Sequence, residues 1–396
     1  MTEKLYYQDS YNFSFEANIY QIINGDKIAV ILDRTCFFSE GGGQKSDIGY
    51  IGNSFVYDVQ EIDGIIYHYV KDISDLECNK IYNCKIDGNT RFSRMQAHTG
   101  EHILSGLAYK YFGAENVGFH MDETQLMTVD FDLPLSPEQV SFLENESNRC
   151  IYENHPVKSE IYSVEDAKNL RYRSKIEFSD YIRIVSISDV DMCACCAPHL
   201  NCTAQVGLLK ILSCISHRGG VRLSLICGIA AFNDYKDKFK QILNISSMIC
   251  SPHDKTDAGV EQLISQNKDI RKKISDQKER LFNFICDSVS YEDFLIMSFN
   301  DFNAEELRLL SNKLSSKSQY GVFLFAGNDY NGYSYCFNSD KINLSDFLCE
   351  MKASINATGG GKGNIIQGKI QCDKQSILDF LNEKRNNYEN EKKETS

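Results

Sequence analysis

Two widely separated motifs carry side chains that together suit a metal ion: His98-Thr99-Gly100-Glu101-His102 and Cys195-Cys196-Ala197-Pro198-His199. Histidines four apart on a helix stand one above the other, so both imidazoles reach one ion. The second motif, Cys-x3-His, follows a β-like run and holds one of only 5 prolines, so it can present a thiolate and an imidazole on a tight loop. Imidazoles with one thiolate are the borderline-soft donors that Zn²⁺ prefers in a tetrahedron. One zinc ion per chain, on His98, His102, Cys195 and His199, is the expectation. The cysteine-rich run also offers another set through Cys193, Cys196 and Cys202. A zinc-protease helix places glutamate directly after its first histidine; here Glu101 directly precedes the second, which disfavours a protease.

Other candidates surround these motifs. Gly41-Gly42-Gly43 lies between Glu40 and Gln44, and Gly-rich turns expose N–H donors to a ligand. Those donors suit a developing oxyanion, although an ordinary hairpin loop reads the same way. Glu101, on the histidine side of its helix, is a candidate base or partner of a metal ligand. Arg218-Gly219-Gly220 before a strand is ambiguous between binding and turn formation, and His120 reads as structural. A zinc with an open position activates water, whereas four protein ligands close its shell.

The elements that must position these groups follow from the hydrophobic period. Residues 1–90 alternate short β-like runs with turn dipeptides, Asp63-Gly64 and Asp87-Gly88 among them, and predict a small β-barrel. From Ser93 the period is helical, with Ile103, Leu104, Leu107, Ala108 and Tyr111 as one stripe and Gly113 as its cap. Ser136-Pro137-Glu138-Gln139 starts another helix, and strands at 156–162, 181–188, 203–212 and 221–226 complete an α+β core over 91–250. Residues 251–285 predict a helical connector whose seam (Val260, Leu263, Asn267, Ile270, Ile274, Gln277, Leu281) is weakened by two polar positions. Residues 286–396 predict a C-terminal α/β domain with a Gly-rich loop, Thr358 to Gly363. The fold class is thus α+β in four segments.

Composition narrows the function. A chain of 396 residues with 42% apolar and 24% charged side chains is globular and long enough for two or three domains. The start MTEKLYYQDS does not read as a signal peptide, so a cytoplasmic setting is expected and the 15 cysteines are expected to be reduced. The net charge of −13 disfavours a general nucleic-acid coat protein. It does not exclude a local basic groove: residues 1–253 carry −10, residues 286–396 carry −4, and the connector carries +1 with Arg271-Lys272-Lys273.

Four landmarks, SEGGGQKSDIG (39–49), HTGEH (98–102), DMCACCAPH (191–199) and HRGGVRLSLICG (217–228), resemble the free-standing alanyl-tRNA editing proteins, relatives of the editing domain of alanyl-tRNA synthetase. Thr358-Gly359-Gly360-Gly361-Lys362-Gly363 is similar to the Gly-rich loop of the domain shared by that synthetase and the DHH phosphoesterases, so the long form of the family is matched. The resemblance implies an aminoacyl-tRNA deacylase acting on tRNA(Ala) mischarged with serine first and glycine second. It implies His98, His102, Cys195 and His199 as zinc ligands, an editing role for Gln44, and a hydroxyl of Thr35 that favours the seryl group. It also implies that the C-terminal domain assists tRNA binding and sometimes homodimerisation; Lys362 is the phosphate candidate there.

Three rivals remain on the sequence. A DHH-type phosphoesterase lacks support because no Asp-His-His tripeptide occurs. A full synthetase would need an aminoacylation core, and the barrel-like region begins within the first fifty residues. A zinc-stabilised tRNA-binding accessory module without catalysis is the third.

Overall fold

The computed structural model describes residues 2–174 and 181–395, in two compact units, Met1–Met248 and Ile249–Ser396. In the first unit, six antiparallel strands close on themselves into a ring: Ser14–Asn24, Ile28–Leu32, Ile65–Val70, Ser54–Ile62, Gly49–Ile51 and Ile81–Ile86, in that spatial order. The alternating runs bury one face of each strand, with Ile19, Val30, Ile51, Val56, Val59, Ile66 and Cys84 meeting inside. Asp63 and Gly64, both at positive φ, turn the hairpin between Ser54–Ile62 and Ile65–Val70. Asp87-Gly88 does a different job from the hairpin expected of it. Asp87 caps helix α1 (Gly88–Phe112) by accepting the Thr90 N–H, so the helix starts earlier than its apolar period suggested.

Helix α1 is buried on nearly every side from Arg91 to Ala108, which explains why its periodicity is a weak guide to its length. It ends at Gly113 in the left-handed conformation, and helix α2 (Pro137–Glu153) begins with the capping box of Ser136 and Gln139. Against α1 packs a four-stranded sheet ordered Leu209–His217, Gly220–Cys227, Met127–Phe131, Asn116–Met121. A three-stranded sheet, Val157–Ser163, Tyr181–Ile187, Asp191–Ala194, carries Cys195 directly after its last strand. The strand expected over 203–212 splits: Thr203–Val206 is a 3₁₀ turn, and pairing starts only at Leu209. A helix, Gly228–Ile249, closes the segment.

The second unit opens with the helix Thr256–Ser288, on which Leu263, Ile270 and Ile274 of the expected seam are exposed. Its five-stranded sheet is mixed. Glu292–Phe299 pairs parallel with Ser318–Asn328 through the helix Ala304–Leu314, and the remaining pairs are antiparallel. Only that first crossover has the α/β form expected for the whole domain. The Gly-rich stretch is not a loop: Ala357–Lys362 is an edge strand paired with Ile365–Ile370. A Cβ at Gly361 would stand 1.9 Å from the Ile365 carbonyl oxygen, so glycine is what lets the two backbones meet. No helix among the described residues is long and apolar enough to cross a membrane.

Candidate metal centre

The centre is built on the middle of α1, where His98 and His102 lie one turn apart and 2% exposed. The loop after the Asp191–Ala194 strand brings Cys195 and His199 against them. One donor atom from each of the four lies within 4.8 Å of the others. Cys195 Sγ stands 3.5 Å from His98 Nε2 and 3.3 Å from His199 Nε2. A tetrahedral zinc site sets nitrogen and sulfur about 3.5 Å apart, so the spacing fits such an ion.

Each imidazole is turned by a separate partner on its other nitrogen. His98 Nδ1 meets Gln44 Oε1 at 2.8 Å, His102 Nδ1 meets Asp191 Oδ2 at 2.9 Å, and His199 Nδ1 meets Thr99 Oγ1 at 3.3 Å. Amide and carboxylate oxygens only accept, so His98 and His102 carry hydrogen on Nδ1 and aim a lone pair inward from Nε2. This is the outer support that metal-bound histidines generally have. Asp191 is itself gripped by Arg173, whose Nε and Nη2 donate at 2.8 and 2.9 Å. That double use makes Asp191 an anchor, although it also groups with His102 and Cys193 by distance.

The electrostatics of Cys195 and His199 agree with a ligand set, and those of His102 do not. Burial raises the Cys195 thiol, but the imidazoles of His98 and His199 outweigh it and hold the thiol well below its ordinary value. Burial lowers His199 to about 3, which keeps it a neutral ligand. Burial also lowers His102, but the Asp191 hydrogen bond and the adjacent Cys195 outweigh it and bring the group well above its usual value, so a metal ion on Nε2 would displace a proton there.

The Gly-rich segment forms one wall. Gly41 and Gln44 exchange backbone hydrogen bonds of 3.1 and 3.0 Å across Gly42 and Gly43, whose own N–H groups have no partner among the described residues. Gly43 has φ +81° and sits so tightly on Phe119 that a Cβ would lie 2.5 Å from that residue's carbonyl oxygen. The base of this loop is tied to α1. Asp47 accepts the Phe38 N–H at 2.7 Å and is paired with Arg91, both side chains fully buried. Arg94 donates to the Ser46 carbonyl. Gln44 Nε2 is buried without a hydrogen-bond partner.

A cavity of about 470 Å³ opens on the centre, lined by His98, His102, Cys195, Glu101, Gly42, Phe119 and Tyr7 among others. Gln44 and the glycine turn thus converge on the metal motifs, as does Glu101. Thr35 does not. It is fully buried in the ring, where its Oγ1 meets His68 Nε2 at 2.8 Å and accepts the Phe37 N–H at 3.0 Å. His68 Nδ1 faces the Val30 carbonyl at 3.0 Å and must donate there, so the Thr35 hydroxyl spends its hydrogen on Nε2. Arg218-Gly219-Gly220 forms the turn between Leu209–His217 and Gly220–Cys227 and is absent from the cavity wall. Lys362 lies in the other unit, exposed at the end of the edge strand. Of the alternative cysteines, Cys193 and Cys196 line the cavity, whereas Cys202 precedes the 3₁₀ turn. Thr99, Asp191, Arg173 and Asn116 carry site roles that sequence reading did not assign; the first two lie inside the motifs themselves.

Comparison with known proteins places three family models along the chain. Residues 3–90 match class II (A) tRNA synthetases, 182–223 the threonyl and alanyl tRNA synthetase second additional domain, and 292–387 the DHHA1 domain. The second span holds Cys195 and His199 but not the α1 histidines. An alanine–tRNA ligase of Archaeoglobus fulgidus is 29% identical over 96% of this chain and 44% of its own length. That of Methanococcus aeolicus is 28% identical over 95% of this chain and 42% of its own. The chain thus spans less than half the length of these ligases. The alanyl-tRNA editing protein AlaX-L of Pyrococcus horikoshii is 26% identical, but the match covers 97% of this chain and 98% of that protein. By domain content and by the extent of that match, the chain is similar to the AlaX-L-like alanyl-tRNA editing proteins, with matches to the second additional domain and the DHHA1 domain.

Proposed function

We propose that the chain hydrolyses the ester of mischarged tRNA(Ala), with seryl-tRNA(Ala) as first substrate and glycyl-tRNA(Ala) as second. The observation that carries this reading is the convergence of three inward Nε2 atoms and the Cys195 thiolate on one cavity wall, beside Gly42. Zinc suits the donor set, and when bound it would supply positive charge for an ester carbonyl and hold the two motifs together.

The chain's own groups account for the remaining tasks. The free N–H groups of Gly42 and Gly43 are disposed to receive the developing oxyanion. Gln44 fixes His98 through Oε1 and keeps a buried Nε2 donor, a costly arrangement unless an acceptor arrives. Phe119 and Tyr7 give the cavity apolar walls that limit water near the ester. Residues 1–248 would carry catalysis, in a cytosolic setting. The DHHA1 region would assist tRNA binding or dimerisation, with Arg271-Lys272-Lys273 as the phosphate-contact cluster.

The closed four-ligand shell equally suits a zinc that only stabilises a tRNA-binding module. Deacylation assays on seryl-, glycyl- and alanyl-tRNA(Ala) separate the two readings. Release of serine and glycine with alanine spared is expected; zinc-loaded protein that leaves the seryl ester intact would establish the accessory module instead.

A further inference from the structure

Among the described residues Glu101 is the one acidic side chain lining the cavity, whose other ionisable groups are guanidinium groups, imidazoles, thiols and the phenols of Tyr7 and Tyr181. Its carboxylate is held from one side only. Ser105 Oγ and Asn116 Nδ2 both donate to Oε1 at 2.5 Å, and Asn116 Nδ2 also donates to Ser105 Oγ at 3.0 Å, which ties the three side chains together. Oε2 has no donor among the described residues and stands 3.9 Å from His102 Nε2, a nitrogen aimed into the centre. Glu101 nevertheless does not join the group of donors that lie within 4.8 Å of one another, so it is placed beside the ligand set without belonging to it. Neither arginine on the wall hydrogen-bonds it among the described residues: Arg173 donates to Asp191 and meets Glu101 only through space, and Arg183 donates to the Cys195 and Ala197 carbonyls.

A rigid, 4% exposed carboxylate with one uncommitted oxygen calls for a cation that arrives with the ligand. An aminoacyl ester has such a cation, the α-ammonium, two bonds from the scissile carbonyl carbon. We propose that Glu101 Oε2 is the anchor for the α-ammonium of the aminoacyl group, and that it sets the carbonyl against the metal-centre wall. The assignment rests on the deacylase reading above. It makes Glu101 a substrate-binding residue that distinguishes aminoacyl esters from the corresponding 2-hydroxyacyl esters, in which hydroxyl replaces ammonium.

The test compares seryl-tRNA(Ala) with its 2-hydroxy counterpart, glyceroyl-tRNA(Ala), as substrates of wild type and Glu101→Gln. It also compares calorimetric binding of their non-hydrolysable 3′-amide adenosine analogues, with zinc content measured throughout. Wild type should favour the amino form by about 10- to 100-fold in kcat/KM and in Kd, the scale of a charge-assisted hydrogen bond. Glu101→Gln should retain zinc and bring the two forms within about threefold, while Glu101→Asp keeps part of the preference. Equal losses on both esters in Glu101→Gln, or a wild type that does not distinguish the two forms in hydrolysis or binding, would overturn the anchor. Wild type that hydrolyses neither ester would overturn the deacylase reading, a result distinct from loss of discrimination.

Discussion

Gln44 Oε1 accepts the Nδ1 hydrogen of His98 at 2.8 Å, joining the Gly-rich loop to the helix that bears the first metal motif. Two stretches of sequence more than fifty residues apart thereby fix one ring tautomer. Removing the amide in Gln44→Leu should weaken zinc affinity by about 10- to 100-fold, as loss of outer support to a ligand generally does. Gln44→Glu, which still accepts from Nδ1, should retain most of it. Chelator competition measures both, and unchanged affinity in Gln44→Leu would detach the loop from the centre.

Cys195→Ala tests the ligand set itself. The variant should lose zinc on dialysis, and with it activity, because no remaining donor matches its position between His98 and His199. Stoichiometric zinc in this variant, measured by elemental analysis, would point to Cys193, which lies with His102 and Asp191.

Arg91 and Asp47 form a fully buried ion pair, and Arg91 also donates to the Ser10 and Cys36 carbonyls. Arg91→Met leaves the Asp47 carboxylate buried with its cation gone. Urea unfolding should show a loss of about 3–5 kcal/mol. A loss under 1 kcal/mol would mean that water reaches Asp47 once the guanidinium is removed.

Thr35 was expected from family likeness to select the seryl hydroxyl, yet its own hydroxyl is committed to His68 and the Phe37 N–H. Thr35→Val should cost about 1–3 kcal/mol of stability by leaving buried partners unsatisfied. The ratio of kcat/KM for seryl over alanyl ester should stay as it was. A fall in that ratio with stability unchanged would restore the direct role.

His68 gives the pH dependence a defined window. Burial lowers it from 6.5 to about 4, so between these values the unfolded chain binds a proton that the folded chain does not. Its contribution is present above pH about 6.5 and disappears as pH falls toward about 4, a loss of about 3 kcal/mol. Urea midpoints at pH 7.5, 6, 5 and 4 should show this slope in wild type and a flatter one in His68→Gln. Parallel profiles would show that the imidazole is protonated in the folded ring.

Much of the chemistry was legible in the chain because its spacing is local. His98 and His102 lie one helical turn apart, and Cys195 and His199 share one short loop, so short-range geometry suffices to pair each set. The Ser136 capping box and the Gly113 cap were legible for the same reason: each depends on a few neighbouring residues. Asp87-Gly88 shows the limit of that logic, since a turn dipeptide and a helix cap use the same side chain, and only the buried helix that follows decides between them.

Tertiary structure decided what depends on distant partners. It drew Gln44 onto His98 and Asp191 onto His102, and it enclosed Thr35 with His68 instead of with a substrate. It also turned the Gly359–Gly361 stretch into part of a paired edge strand, because backbone pairing with Ile365–Ile370 satisfies amides that a loop would leave to solvent. Residue types and local spacing therefore named the candidate ligands, while long-range hydrogen bonding determined which atom of each faces the centre and which neighbours are left with an oxygen to spare.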